Sequence, residues 1–204
     1  MITLHCLAYS RAIRLVWLLE EIGAPYKLCE YQRTKDFHAP DALKEVHMLG
    51  KSPVIEDEGL KIAESATCLR YLAAKFGGDA FQPEAGTQAY FQHEELLDYV
   101  ESSFAQAAMG VLLPKLQGDA PARAAVETLR THFGYLAQRL PANGLLFGPS
   151  VTLADIQFSY LLANLSAASL LADQPLVAAY WTRLQQQQGY RKATAKAGPM
   201  APDM

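Results

Sequence analysis

The stretch Gly50-Lys51-Ser52-Pro53-Val54-Ile55-Glu56-Asp57-Glu58-Gly59-Leu60-Lys61-Ile62-Ala63-Glu64-Ser65 constrains the fold more than any other part of this chain. It reads as a loop ending in an X-Pro bond, a short apolar strand, an Asp-Glu-Gly turn, a second strand, and a Glu-Ser pair opening a helix. A proline in such a position often takes the cis form, which holds the chain in a tight turn. The residue after it, Val54, can then present its backbone N–H and C=O edge-on to a peptide-like ligand, as sheet edges do in strand addition. Glu64 and Ser65 supply backbone N–H groups and a hydroxyl at a helix N-terminus, a favourable place for a carboxylate. Peptide pairing beside a carboxylate pocket suits a small anionic peptide.

The elements around this segment follow from periodicity and punctuation. Ile2 to Leu7 mixes β-branched and apolar residues and reads as a first strand. Arg11 to Ile22 places Ile13, Val16, Trp17 and Leu18 on one helical face with charges opposite. Gly23 ends that helix and Pro25 prevents its continuation. Tyr26 to Tyr31 is a second strand, so the opening is a parallel βαβ unit. A short helix through Val46, the two strands about Gly59 and a helix from Glu64 to Phe76 complete the order βαβ-α-ββ-α. Gln82-Pro83-Glu84-Ala85-Gly86 reads as an exposed linker. Beyond it the strand signals vanish. Helices are predicted over Gln88 to Leu113, Pro121 to Leu140, Thr152 to Leu171, Pro175 to Gln188 and Tyr190 to Ala197. The chain thus divides into a βα domain, residues 1–77, and an all-helical domain, residues 86–204.

Composition removes several functional classes. A formal net charge of -3 gives no electrostatic reason to expect a nucleic-acid partner. No apolar run approaches the roughly 18 residues that span a bilayer, and no secretory signal is visible at the start. Three widely spaced cysteines without a CxxC point to a reducing cytosol. His93-Glu94-Glu95 has no histidine four residues on, so it is not a zinc helix. No metal or bound organic cofactor is expected.

Four groups of residues carry candidate chemistry. Ser10, between the first strand and the first helix, is placed to cap that helix. Its hydroxyl, with the helix dipole, is equally placed to stabilise an anion such as a thiolate. Tyr9, at the strand end, is the competing hydroxyl, and Arg11 sits on the first helical turn, where its charge opposes the dipole. Thr152-Leu153-Ala154-Asp155 has the pattern of a capping box, with Val151 and Ile156 forming a hydrophobic staple, and reads as a folding device. Cys6 alternates with apolar neighbours and reads as a buried small hydrophobe. Tyr99, Phe104 and Met109 form an apolar stripe that reads as core, part of it able to line a pocket for an apolar electrophile.

Taken together, the Tyr-Ser-Arg-Ala-Ile-Arg run, the Pro53 loop, the Glu64-Ser65 pair and the Thr152 box resemble the cytosolic glutathione S-transferase family. The likeness is to serine-type members of a small bacterial and fungal branch, and it covers nearly the whole chain. It implies a thioredoxin-like N-terminal domain and an all-α C-terminal domain, and usually a homodimer in the cytoplasm serving detoxification. By resemblance Ser10 stabilises the thiolate of glutathione, with Tyr9 as the alternative. Val54 pairs with the cysteinyl part, Glu64 and Ser65 hold the γ-glutamyl end, and Lys51 approaches the glycyl carboxylate. Arg11 attends the thiolate or a partner subunit. The implied reaction is conjugation of glutathione, a co-substrate, to a hydrophobic electrophile. A glutathione-dependent peroxidase or isomerase, or a non-enzymatic binding module, could use the same scaffold.

Overall fold

The computed structural model describes residues 1–203. They fall into two compact units, Met1–Phe81 with Gln187–Ala201, and Gln82–Gln186 with residues 202–203. Strand β1 (Ile2–Leu7) leads through a turn to helix α1 (Ile13–Ile22) and back into strand β2 (Tyr26–Tyr31). β1 and β2 pair in parallel, Ile2 opposite Tyr26 and Leu7 opposite Tyr31. After the short helix α2 (Ala42–Val46), strands β3 (Val54–Asp57) and β4 (Leu60–Ala63) form an antiparallel hairpin. Its two-residue turn carries Glu58 and Gly59 at φ values of 50° and 89°. Positive φ at both central positions matches the right-handed twist of the strands, which is why a glycine is needed there. β3 also pairs antiparallel with β1, giving the sheet order β2-β1-β3-β4. Helix α3 (Ser65–Leu72) follows, prolonged by a π-helical turn, Ala73–Gly77. This mixed four-stranded sheet with its helices is the expected thioredoxin-like arrangement.

Helix α1 is buried almost all round, not on one stripe: every residue from Ile13 to Leu19 is enclosed. Helix α3 packs against it, and so does helix α9 (Gln188–Ala197). Glu21 receives one hydrogen bond across the α9 contact, from the Gly189 N–H at 2.9 Å, and one within α1, from the Trp17 indole N–H at 3.1 Å. Trp17 meets Tyr190 edge to face, and Lys196 pairs with Glu20 at 2.7 Å. Sequence patterning assigned everything beyond residue 86 to the helical domain. The last helix instead joins the first unit, because a nearly apolar α1 needs a second cover. Arg14, expected on the charged face, is fully buried.

The second unit is all-helical: α4 (Gln88–Tyr99), α5 (Ala105–Leu116), α6 (Arg123–Arg139), α7 (Leu153–Ala167) and α8 (Pro175–Gln185). The expected continuous helix from Gln88 is interrupted by a π-helical turn, Val100–Phe104, that joins α4 to α5. Helix α7 is the buried centre, with the capping box at Thr152 present. Its Asp155 carboxylate accepts from the Thr152 N–H (2.8 Å), the Thr152 hydroxyl (2.7 Å), the Leu146 N–H (3.1 Å) and the Tyr180 hydroxyl (2.7 Å). Burial pushes the Asp155 pKa upward, against four hydrogen bonds that favour the charged form. His93, wholly enclosed, accepts from the Ala154 N–H at 3.2 Å and so supports the start of the same helix. No helix among the described residues is long and apolar enough to cross a membrane.

Candidate functional site

The turn between β1 and α1 brings Tyr9, Ser10 and Arg11 to the C-terminal end of β1, one of the sheet's two inner strands. Ser10 is 5 % exposed, and its Oγ accepts a hydrogen bond from the Ala12 N–H at 3.2 Å. Its carbonyl accepts from the Ile13 N–H at 3.3 Å, so both atoms hold the turn that leads into the helix. The helix cap expected of Ser10 is not formed: Ala12 is the residue that precedes the helix, no side chain caps it, and the Ser10 hydroxyl instead closes a turn over residues 10–12 before the helix begins at Ile13. That bond uses an oxygen lone pair and leaves the hydroxyl hydrogen; among the described residues no acceptor takes it. A group with one proton to give, at the positive end of a buried helix, can stabilise a thiolate.

Tyr9 lies in the left-handed region, φ 53°, and its ring stacks on Phe37 at 5.9 Å. The ring is thus committed to the loop after β2. Arg11 is half-buried on the turn itself.

The Pro53 loop is fastened to β1 by a side chain. The peptide bond Ser52–Pro53 is cis, as the sequence leads one to expect. Ser52 Oγ accepts from the Leu7 N–H at 3.0 Å and donates to the His5 carbonyl at 2.9 Å. The Ser52 side chain therefore stands in for a strand partner along β1. Its own backbone N–H and C=O bond to nothing among the described residues. Val54, by contrast, sits at the start of an interior strand, with His5 of β1 on one side and Ala63 of β4 on the other. The expectation that Val54 offers a free edge is corrected: in a sheet ordered β2-β1-β3-β4 its backbone is inside, and the peptide group open for pairing belongs to Ser52. The apolar run of β3 gave no warning, because it does not say which strands flank it.

At the other end of the hairpin Glu64 takes an unusual backbone conformation, φ 67° and ψ 116°, with its side chain exposed. Its carbonyl accepts from the Cys68 N–H at 2.9 Å. Ser65 is buried, and its hydroxyl accepts from Arg14 Nη1 at 3.2 Å. Arg14 thus couples α1 to the start of α3, a role that its place opposite the apolar face of α1 concealed. Lys51 is exposed. The first unit therefore carries Ser10, Ser52, Glu64 and Ser65 at or beside the ends of neighbouring elements.

The apolar stripe of the second unit divides. Phe104 is wholly buried, packed against Tyr99, Phe133 and Phe158 at centroid distances of 5.7 to 6.2 Å. A ring enclosed on all sides cannot line a substrate pocket, so the expectation for Phe104 is corrected to core. Tyr99 is engaged internally through its hydroxyl, 2.5 Å from His132 Nδ1. Met109 is half-exposed. Cys6 and Cys68 are buried and their thiols are pushed up to about 12, so neither is a nucleophile. Among the described residues no group of three or more His, Cys, Asp or Glu is placed to hold a metal ion.

Known proteins share this fold. Residues 1–74 match the family described as Glutathione S-transferase, N-terminal domain. A 96-residue segment is 42% identical to Glutathione S-transferase 3 of Schizosaccharomyces pombe, a match spanning 47% of this chain and 39% of that protein. Over 196 residues the chain is 30% identical to Glutathione S-transferase PM239X14 of Arabidopsis thaliana, covering 88% of this chain and 89% of that one. The solved structure of a glutathione S-transferase from Actinobacillus pleuropneumoniae superposes with a TM-score of 0.86 at 31% identity, over 98% of this chain and 94% of its own. On fold, domain match and near-full-length identity, the chain belongs to the glutathione S-transferase family.

Proposed function

We propose that this glutathione transferase binds the tripeptide along its first unit and ionises the cysteinyl thiol at Ser10. In this reading the Ser52 backbone pairs with the cysteinyl peptide group. The γ-glutamyl end meets Glu64, whose carboxylate takes the ammonium, and the start of α3 at Ser65, which takes the carboxylate. Lys51 approaches the glycyl carboxylate, and Arg11 lies beside the thiolate. The thiolate sulfur attacks an electrophilic carbon of a hydrophobic second substrate. A C–S bond forms, the leaving group departs with its electron pair, and the thiol proton has already passed to solvent. Thiolate is the nucleophile, so catalysis near neutral pH requires a lowered thiol pKa. Met109, half-exposed on α5, is kept as a contact for the apolar substrate. A cytoplasmic, homodimeric enzyme serving detoxification completes the reading, supported by family membership and three free cysteines.

One observation carries the proposal: the Ser10 hydroxyl, fixed by the Ala12 N–H, keeps its hydrogen to donate at the head of α1. Ser10→Ala tests it in a conjugation assay. A bound thiol raised by about two pK units loses roughly 3 kcal/mol of differential stabilisation, a rate deficit on the order of 100-fold at pH 6.5. Unchanged turnover removes Ser10 from the mechanism and makes Tyr9 the residue to test.

A further inference from the structure

We infer that Arg33 is a positioning residue for this reaction, acting through the backbone of the β1–α1 turn. The inference rests on the thiolate role proposed for Ser10. Arg33 lies in the loop after β2, half-buried. Its Nε donates to the Ala8 carbonyl at 2.9 Å and its Nη2 to the Tyr9 carbonyl at 3.0 Å. Nη1 donates to the Phe37 carbonyl at 2.9 Å, and the guanidinium carbon lies 4.5 Å from the centre of the Phe37 ring. Phe37 in turn stacks on Tyr9. One planar cation therefore holds the two peptide groups that precede Ser10, and the ring it covers holds the side chain between them.

This clamp has a geometric reason. In an extended strand successive carbonyls point to opposite sides, so one guanidinium edge cannot reach two in a row. The left-handed turn at Tyr9 brings its carbonyl to the same side as that of Ala8, and the fork then spans both. A bulky residue adopts positive φ only when its surroundings over-determine it. Here the surroundings are Arg33 and Phe37. Both are delivered by a loop that closes on itself: the Thr34 N–H donates to the His38 carbonyl and the Phe37 N–H to the Thr34 carbonyl, each at 2.9 Å. The loop is also anchored where it starts, because the Ala8 N–H donates to the Tyr31 carbonyl at 2.9 Å. Releasing Tyr9 to ordinary φ values rotates the chain immediately before Ser10. The hydroxyl then moves relative to the head of the helix that follows it. Arg33 and Ser10 do not touch; the coupling passes through one backbone conformation.

The test compares Arg33→Met, Arg33→Lys and Ser10→Ala with the unaltered enzyme. Two quantities are read: the glutathione dissociation constant by calorimetry, and the thiol pKa of bound glutathione from thiolate absorbance against pH. Arg33→Met is expected to change glutathione affinity by no more than about threefold while raising the bound thiol pKa by about one unit. Its kcat/KM then falls about tenfold at pH 6.5 and recovers at alkaline pH, where the thiol ionises unaided. Arg33→Lys keeps the charge but not the fork and is expected to show a raised pKa as well; it carries the test alone if the methionine variant does not fold. A bound thiol titrating as in the unaltered enzyme overturns the inference, as does a loss of affinity with no change in pKa. If Ser10→Ala shifts the thiol and neither Arg33 variant does, only the role of Arg33 fails. If Ser10→Ala itself titrates normally, the thiolate reading fails and the route through Arg33 goes with it.

Discussion

Replacing Asp155 by alanine strands the groups that its carboxylate gathers at the head of α7. Of the four donors, the Thr152 hydroxyl can rotate to another acceptor and the Leu146 N–H is on a half-buried residue near solvent. The Tyr180 hydroxyl and the Thr152 N–H have no such escape, since Tyr180 is wholly buried and Thr152 is 6 % exposed. Each buried donor left without a partner costs about 1–3 kcal/mol. Some of this is offset, because the alanine chain no longer buries an ionised carboxylate. The net expectation is a loss of about 3–4 kcal/mol, which is large for a single substitution. Urea unfolding followed by circular dichroism reads it as a lower midpoint at unchanged slope. Tyr180→Phe supplies the control. Alone it removes one bond and costs about 1 kcal/mol, but in the Asp155→Ala background it removes a stranded hydroxyl and costs nothing or restores stability. A loss below about 1 kcal/mol in Asp155→Ala, or strictly additive effects in the pair, refutes the reasoning.

Other perturbations reach the rest of the structure. A Cβ on Gly189 would lie 2.1 Å from Glu21 Oε2 and 2.7 Å from Trp17 Cδ1. Glu21 can swing aside only by giving up both of its bonds, and the Trp17 ring is wholly buried. Gly189→Ala is therefore expected to cost about 1–3 kcal/mol and to raise amide exchange throughout α9; unchanged exchange there contradicts the α1–α9 packing. Burial lowers the pKa of His5 and of His132 from the ordinary 6.5. Between those lowered values and 6.5 the unfolded chain binds more protons than the folded one, so stability falls on acidification through that window and is unaffected above it. His132→Gln should flatten part of that slope, and stability that rises from pH 7 to pH 5 contradicts it.

The elements were legible where a residue type serves one purpose. Gly23 ends α1 at φ 73°, donating to the Leu19 carbonyl, and Gly59 makes the hairpin turn. The Thr152 box announced the start of α7 because capping needs only residues close in sequence. What the sequence hid depends on neighbours distant in sequence. Arg14 looked like a solvated charge, yet it reaches Ser65, 51 positions away. The membership of α9 follows from the surface it covers on α1, which no local pattern encodes. The π-helical turn at Val100–Phe104 shifts the helical phase without any residue that marks it. Phe104 is closed off by Phe133 and Phe158, rings 29 and 54 positions away. Ser52 escaped notice because a serine before proline is an ordinary turn residue. Its importance appears only once its hydroxyl is seen bridging His5 and Leu7.

The most direct measurement is a crystal structure of the enzyme with reduced glutathione bound. The account places the sulfur within hydrogen-bonding distance of Ser10 Oγ, about 3–3.5 Å, and the cysteinyl peptide group against the backbone of Ser52. A sulfur lying against the Tyr9 hydroxyl, or a tripeptide bound away from Ser52 and Ser65, contradicts it.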